Sequence, residues 1–228
     1  MKNCCRSSPT LLADEGIIER IMNNKSIVIG ITGNMGSGKS TFAGLIRDAG
    51  YSVISADRIA QDQLTRPENM KSIVHRWGSK VVKNGKPDKA RIADIVFAEK
   101  SELEYLNNLV HPGTLVDMQK LVDQSADKYL FFEVPLLFEA GMQGCFDFII
   151  LIHVEAETSI KRLIKSGKVT REQLQARLSA QIESTSKFPL CDMIIDNNGT
   201  LNALKQKAKD FLARLNTIKP RPKIPFSD

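Results

Sequence analysis

The chain reads as an α/β protein, three layers thick, with a five-stranded parallel sheet in the middle layer. Three observations predict this. Five short runs rich in β-branched and aromatic residues, at 26–31, 51–55, 129–134, 146–154 and 192–196, are apolar with little alternation, as strands covered on both faces are. Stretches of helical periodicity separate them, the order that builds a parallel sheet with helices on both sides. The 228 residues, 42% apolar and 25% charged, suffice for one domain with a full core.

Taken in order, the first strand runs into a glycine-rich turn. A helix follows over 39–49, with Gly50 placed to end it, and then the second strand. A helix begins at Asp57, which stands where it can act as N-cap, and Pro67 stops it. Helical patterns continue over 68–77 and, after turns at Gly78, Asn84-Gly85 and Pro87, over 89–124, with an interruption expected at His111-Pro112-Gly113. This block is too long for a simple crossover, so residues 58–125 read as a helical insertion within a domain spanning 26–218. After the fourth strand, helices are expected at 157–166 and 170–181, hinged at Gly167. The fifth strand ends at Asn197-Asn198-Gly199, and an amphipathic helix covers 201–215. Residues 1–25 read as an extension, either a weakly ordered arm or a sequence preceding a true start at Met22. The proline-containing tail, 219–228, is expected to lack structure.

Composition narrows the classes. A net charge of +6 suits nucleic acid, an anionic surface or a phosphorylated small molecule, and equally a surplus of surface lysine. Basic residues form no long block and aromatic residues make up only 6%, so no nucleic-acid partner is expected. Four cysteines without a C-x-x-C pair, and only three histidines, argue against a zinc site or a disulfide framework. No apolar run reaches the ~20 residues of a membrane span. A cytoplasmic protein without a membrane partner is expected, as a monomer or small homo-oligomer.

The strongest motif is Gly33-Asn34-Met35-Gly36-Ser37-Gly38-Lys39-Ser40, which fits G-x-x-x-x-G-K-[ST] at every fixed position. Glycines let the backbone wrap an anion with its N–H groups, and the helix starting at Lys39 adds its positive end. Lys39 is expected on the β and γ phosphates of ATP, the Ser40 hydroxyl on Mg²⁺, and Thr41 on a phosphate from the first helical turn. The strand before and helix after supply the context the motif needs. No N-K-x-D motif of a GTPase is present, and a small-molecule kinase of the P-loop fold suits the length. Asp57 follows the second strand. Ligands of open parallel sheets bind beyond the carboxyl ends of their strands, so Asp57 is the carboxylate best placed to take a proton from an acceptor hydroxyl.

Further segments carry a resemblance. Gly30 to Thr41, Val53-Ile-Ser-Ala-Asp57 with Ile59-Ala60, His111-Pro112, Pro135-Leu-Leu-Phe-Glu139, Gln181 and Asp196-Asn-Asn198 occur here in one order. Together the sequence resembles the dephospho-CoA kinase family. The phosphate loop is generic; the aspartate, His-Pro and Pro-Leu-Leu-Phe-Glu together are specific. The resemblance implies transfer of the γ-phosphoryl group of ATP to the ribose 3′-hydroxyl of dephospho-CoA, with Mg²⁺. It also implies a CoA-side helical domain matching the insertion, and a lid over ATP matching 161–187. Asp57 matches the residue proposed to activate the acceptor. His111, Pro135, Leu136 and Glu139 match the acceptor side, although Glu139 is equally readable as an ion-pair partner and His111 as a helix-start residue. Arg162 and Arg177 match lid residues reaching ATP, and Asn198 the adenine end.

Two departures stand out. The family pattern has Asp-Ala-Asp where this chain has Ser55-Ala56-Asp57. It also has an arginine where this chain has Ser166, with Lys165, Lys168 or Arg171 as replacements. The competing readings are a kinase of nucleosides or nucleotides, which does not require the His-Pro and Pro-Leu-Leu-Phe-Glu segments, and a nucleotide-dependent RNA-binding protein. His75, His153 and Trp77 read as structural.

Overall fold

The structure, a computed structural model, describes residues 26–166 and 182–226. Expectations for 1–25, the helix at 170–181, Arg177, Gln181, Lys168 and Arg171 lie outside the described residues. In chain order the elements are β1 (Ile27–Thr32), α1 (Lys39–Asp48), β2 (Ser52–Ser55), α2 (Ala56–Gln63), α3 (Pro67–Trp77), a short hairpin of β3 (Val82–Lys83) and β4 (Lys86–Pro87), α4 (Lys89–Ala98), α5 (Lys100–Gln124), β5 (Tyr129–Glu133), β6 (Phe148–His153), α6 (Ala156–Ser166), β7 (Met193–Asp196) and α7 (Leu201–Ala213).

The five expected strands form one sheet in the order β2-β5-β1-β6-β7, every neighbour parallel. Continuous burial along β1 and β6 explains their unbroken apolar runs, since both faces are covered. On one face Phe42 and Ile46 of α1 and Leu204 and Phe211 of α7 pack on Ile29, Ile31, Phe131 and Ile150. On the other, Met118 and Val122 of α5 and Leu137 beyond β5 cover Val28, Phe132 and Ile149. Residues of α2 through α5 enclose a separate core of Leu64, Ile73, Trp77, Val81, Ile92, Val96 and Val110. The helical insertion thus buries an apolar centre of its own.

Register fixes the functional edge. Ile31 of β1 and Ser55 of β2 both lie opposite Glu133 of β5. The carboxyl ends of three adjacent strands therefore finish side by side, with the phosphate loop leaving β1 between β5 and β6.

Two expectations are corrected. The helix expected to break at His111-Pro112-Gly113 runs through it, and the break falls at Glu99, an extended residue between α4 and α5. Pro112 deprives the carbonyl of Asn108 of its donor, but Asn108 is exposed to solvent. Gly113 is there for close approach: a Cβ on it would stand 2.1 Å from Oε1 of Gln63 on α2. The tail expected to lack structure is packed, though without regular elements. Lys223 pairs with the buried Asp147 at 2.6 Å, the Ile224 N–H donates to Gly144 O, and Phe226 is only 5% exposed against Phe132 and Phe146. Proline content removed donors but did not prevent burial of one aromatic ring.

If the tail is part of the core, Phe226→Ala should cost about 3 kcal/mol, the usual loss for truncating a buried Phe. Urea unfolding measures it; a change within about 0.5 kcal/mol would mean that the tail contributes nothing to stability.

Candidate active site

Gly33, Gly36 and Gly38 adopt φ of 152°, 77° and 88°, a region where side chains are strained. Space is as restrictive as conformation. A Cβ at Gly33 would stand 2.5 Å from the Ile152 carbonyl oxygen, and one at Gly38 would stand 2.3 Å from Nδ2 of Asn197. The loop is held from outside as well. Asn197 Nδ2 donates to Ser37 O at 2.7 Å, and the Ser159 hydroxyl donates to Met35 O. Helix α1 begins at Gly38 with no side-chain cap and no acidic residue in its first turn. Its first N–H groups and dipole are therefore left for an anion. Ser37 Oγ is buried without a hydrogen-bond partner.

The Ser40 hydroxyl donates to Glu133 Oε1 at 2.5 Å. Sequence reasoning missed Glu133. Its signal was a carboxylate at the carboxyl end of the strand beside β1. Burial pushes the Lys39 ammonium below its ordinary range, while Glu133 and Asp57 pull it back up and Lys187 pushes it down. Burial likewise raises the Asp57 carboxyl, with Lys39 lowering it and Glu133 raising it further. Lys39, Glu133 and Asp57 thus share one field, with the lysine as the cation between two carboxylates.

Asp57 is not the helix cap. Ser55 takes that role, accepting from Arg58 N at 3.4 Å, and Asp57 sits one residue inside α2 in its first turn. The serine that departs from the family pattern therefore has a structural task, and the aspartate side chain is left for the crevice.

The loop after β5 is pinned where Leu137 fits over Gly30, at which a Cβ would stand 2.8 Å from Leu137 Cδ1. Thr32 Oγ1 approaches Pro135 O at 3.4 Å, and Leu136 is exposed toward solvent. Glu139 is ion-paired, accepting from Lys187 Nζ at 2.8 Å and from Ile182 N at 2.9 Å, while its Oε2 is buried without a partner.

On the other side a cavity of about 500 Å³ is lined by Gly36, Gly38, Lys39, Ser40, Thr41, Arg162, Leu163 and Asn197, among others. Arg162 donates to Asn197 O at 2.8 Å and to Gly199 O at 3.2 Å. Asn198 instead supports a turn: its Oδ1 accepts from Glu155 N. Its neighbour Asn197, unsuspected from sequence, touches the phosphate loop. His111 stands midway along α5, half-buried, and burial lowers its pKa; it is not brought into hydrogen bonding with the phosphate-loop residues described. His153 is structural, sharing a 2.9 Å hydrogen bond with Ser184. So is Trp77, whose Nε1 donates to Glu102.

The family model for dephospho-CoA kinase matches residues 27–203. A dephospho-CoA kinase of Fusobacterium nucleatum is 33% identical over 186 residues, 81% of this chain and 96% of its own. One from Leptospira interrogans is 35% identical over 195 residues, covering 84% and 94%. Among solved structures, a Thermus thermophilus protein aligns with a TM-score of 0.70 at 33% identity, over 83% of this chain and 98% of its own. A dephospho-CoA kinase from Campylobacter jejuni aligns with 0.62 at 28% identity, over 83% and 97%.

The raised Asp57 carboxyl has a consequence for stability. The folded state holds that proton above the unfolded value of 3.8, so this group's favourable contribution is complete at lower pH and is lost as pH rises through the folded pKa. Asp57→Asn should therefore unfold at an equal or higher urea concentration than the parent at pH 7. Ser55→Ala should be weaker by about 0.5 kcal/mol through loss of the cap. A marked loss of stability in Asp57→Asn would contradict this assignment.

Proposed function

Because the chain belongs to the dephospho-CoA kinase family, it catalyses the ATP-dependent phosphorylation of dephospho-CoA that forms coenzyme A, and we propose that Lys39, Ser40, Glu133 and Asp57 carry the chemistry. The observation that supports this most is their convergence. Ser40 bonds Glu133, while Lys39 and Asp57 sense each other and Glu133.

Residues 33–41 wrap the ATP phosphates with backbone N–H groups, and Lys39 neutralises charge on the β and γ phosphates. Arg162 and Asn197 bound the cavity on the nucleoside side, with Asn198 holding the turn behind them. On the acceptor side, Asp57 takes the proton of the ribose 3′-hydroxyl as its oxygen bonds to the γ phosphorus. The bond from that phosphorus to the β–γ bridging oxygen breaks, and its electron pair leaves with ADP. A carboxylate pushed up by burial is a better base than an ordinary aspartate. Pro135 and Leu136 border the acceptor, and His111, whose pKa burial lowers, is assigned to the side of the CoA moiety.

The residues fit Mg²⁺. A hydroxyl and a carboxylate meet at the phosphate site, and no group of three or more His, Cys, Asp or Glu side chains forms a cage among the described residues. Mg²⁺ takes few protein ligands and completes its shell with water and phosphate. Ser40 and Glu133 would hold it, and it would supply charge neutralisation across the β and γ phosphates. Scarce cysteine and the absence of a disulfide framework in the sequence support a cytoplasmic setting.

ADP release coupled to coenzyme A formation tests the function. With dephospho-CoA the parent should turn over faster than with any nucleoside acceptor, and the reverse preference would overturn the reading. Asp57→Asn should lower kcat ~100-fold or more, the order lost with a general base, and abolish the rise of kcat with pH on the acid side. Retention of that acid limb would remove Asp57 from the role of base. Glu133→Gln should raise the Mg²⁺ concentration for half-maximal rate by about tenfold, as expected when a charged ligand becomes neutral; an unchanged Mg²⁺ dependence would dismiss Glu133 as a metal ligand.

A further inference from the structure

Lys187 has no solvent exposure. Burying an ammonium is costly unless every donor finds a strong acceptor, so its partners indicate what it is for. Nζ donates to Asn34 Oδ1 and to Glu139 Oε1, each at 2.8 Å. Asn34 belongs to the phosphate loop; Glu139 closes the Pro-Leu-Leu-Phe-Glu loop beyond β5. The backbone of Ile182 completes the figure: its carbonyl accepts from Asn34 Nδ2 at 3.1 Å and its N–H donates to Glu139 Oε1 at 2.9 Å. Lys187 is itself fixed by its own turn, its N–H bonding Ser184 O and its carbonyl accepting from Cys191 Sγ.

Four residues from three separate segments therefore form one closed network. It joins the loop that cradles the phosphoryl donor to the loop that borders the acceptor.

We propose that Lys187 is a positioning residue for phosphoryl transfer, a buried strut that sets the placement of the donor loop relative to the acceptor loop. It touches neither substrate; it acts through Asn34 and Glu139. The inference rests on the family's reaction, which the parent's own turnover with dephospho-CoA reports separately. Transfer requires in-line placement of hydroxyl and phosphorus, and misplacement by about 1 Å can cost on the order of 100-fold in rate. Loss of the strut should therefore fall on kcat, with each loop still binding its own ligand.

The test compares the full-length parent with Lys187→Met, Glu139→Gln and the double variant. Each is assayed for kcat, both KM values, ATP-binding stoichiometry and melting temperature, with rates taken well below every melt. Lys187→Met should lose about 30-fold or more in kcat per ATP-binding site, with both KM values within about fivefold. It should also melt lower, because it strands the Glu139 carboxylate. Glu139→Gln keeps an oxygen for Lys187 and is the reference for the double variant; its kcat should fall several-fold less than that of Lys187→Met. The double variant has no stranded charge and should recover melting temperature but not kcat. If kcat recovers along with stability, Lys187 is an ion-pair partner only, and the proposal is overturned. It is equally overturned by a Lys187→Met enzyme within threefold of the parent. Should Lys187→Met fail to fold, the double variant set against Glu139→Gln decides between the same two outcomes. A parent that ignores dephospho-CoA counts against the family's reaction instead.

Discussion

The phosphate loop has to lie so close to the ends of β6 and β7 that two of its residues cannot carry a side chain. Gly33 is seated on the Ile152 carbonyl and Gly38 on the Asn197 amide. This contact positions everything else at the site. The loop leaves the central strand of an all-parallel sheet, so its neighbours are the carboxyl ends of other strands, and the α1 N-terminus necessarily opens into the same crevice. Asn197 is buried because it fills the space Gly38 vacates, and its amide repays the approach by bonding Ser37 O. The cage is held by the Asn197 amide and the Ser159 hydroxyl bonding its carbonyls, so little ordering cost is left for the arrival of ATP.

Preformation has an electrostatic cost. The loop and Lys39 concentrate positive potential where water is thin, and burial disfavours the ammonium. Glu133 and Asp57 offset this before any ligand arrives. When ATP brings its own negative charge, the carboxylates become the strained members, and Asp57 already binds its proton more tightly than an exposed aspartate. The poise of this proposed base follows from the arrangement of charges and needs no special feature of the residue. Lys187 contributes the opposite sign. It lies close enough to push the Lys39 pKa down, yet its charge is absorbed locally by Glu139.

The sheet was legible because its central strands, β5, β1 and β6, are buried on both faces, which leaves unbroken apolar runs that flanking turns delimit. The phosphate loop was legible because its chemistry is carried by contiguous residues at fixed spacing. The residues that escaped notice depend on contacts between segments far apart in sequence. Glu133 and Ser40 are 93 positions apart, Asn197 and Ser37 160, Lys187 and Asn34 153. No local pattern marks such a residue, and a buried lysine is the last type that composition would place in a core. Pro112 misled for a different reason. Its penalty is one lost hydrogen bond and a steric clash, and α5 absorbs both because the orphaned carbonyl is at an exposed residue while Gly113 gains a close contact with Gln63. The tail misled because its prolines exclude regular elements but not packing, and Phe226 is buried while Lys223 pairs with Asp147.

Ser55 shows how a local departure is accommodated. It lies opposite Glu133 in register and two residues before Asp57. An aspartate there would add a third carboxylate to a corner that Lys39 alone balances, and like charges raise one another's pKa. Asp57 is already raised by burial and by Glu133 against the pull of Lys39; a further anion would push it higher. Serine avoids that repulsion while still accepting from Arg58 N, so α2 keeps its cap and Asp57 its place in the first turn. The proposed metal ligands are then Ser40 and Glu133, a hydroxyl and one carboxylate. In the proposed division Glu133 serves the phosphate side and Asp57 the acceptor side, and Ser55, opposite Glu133 in register, carries no charge.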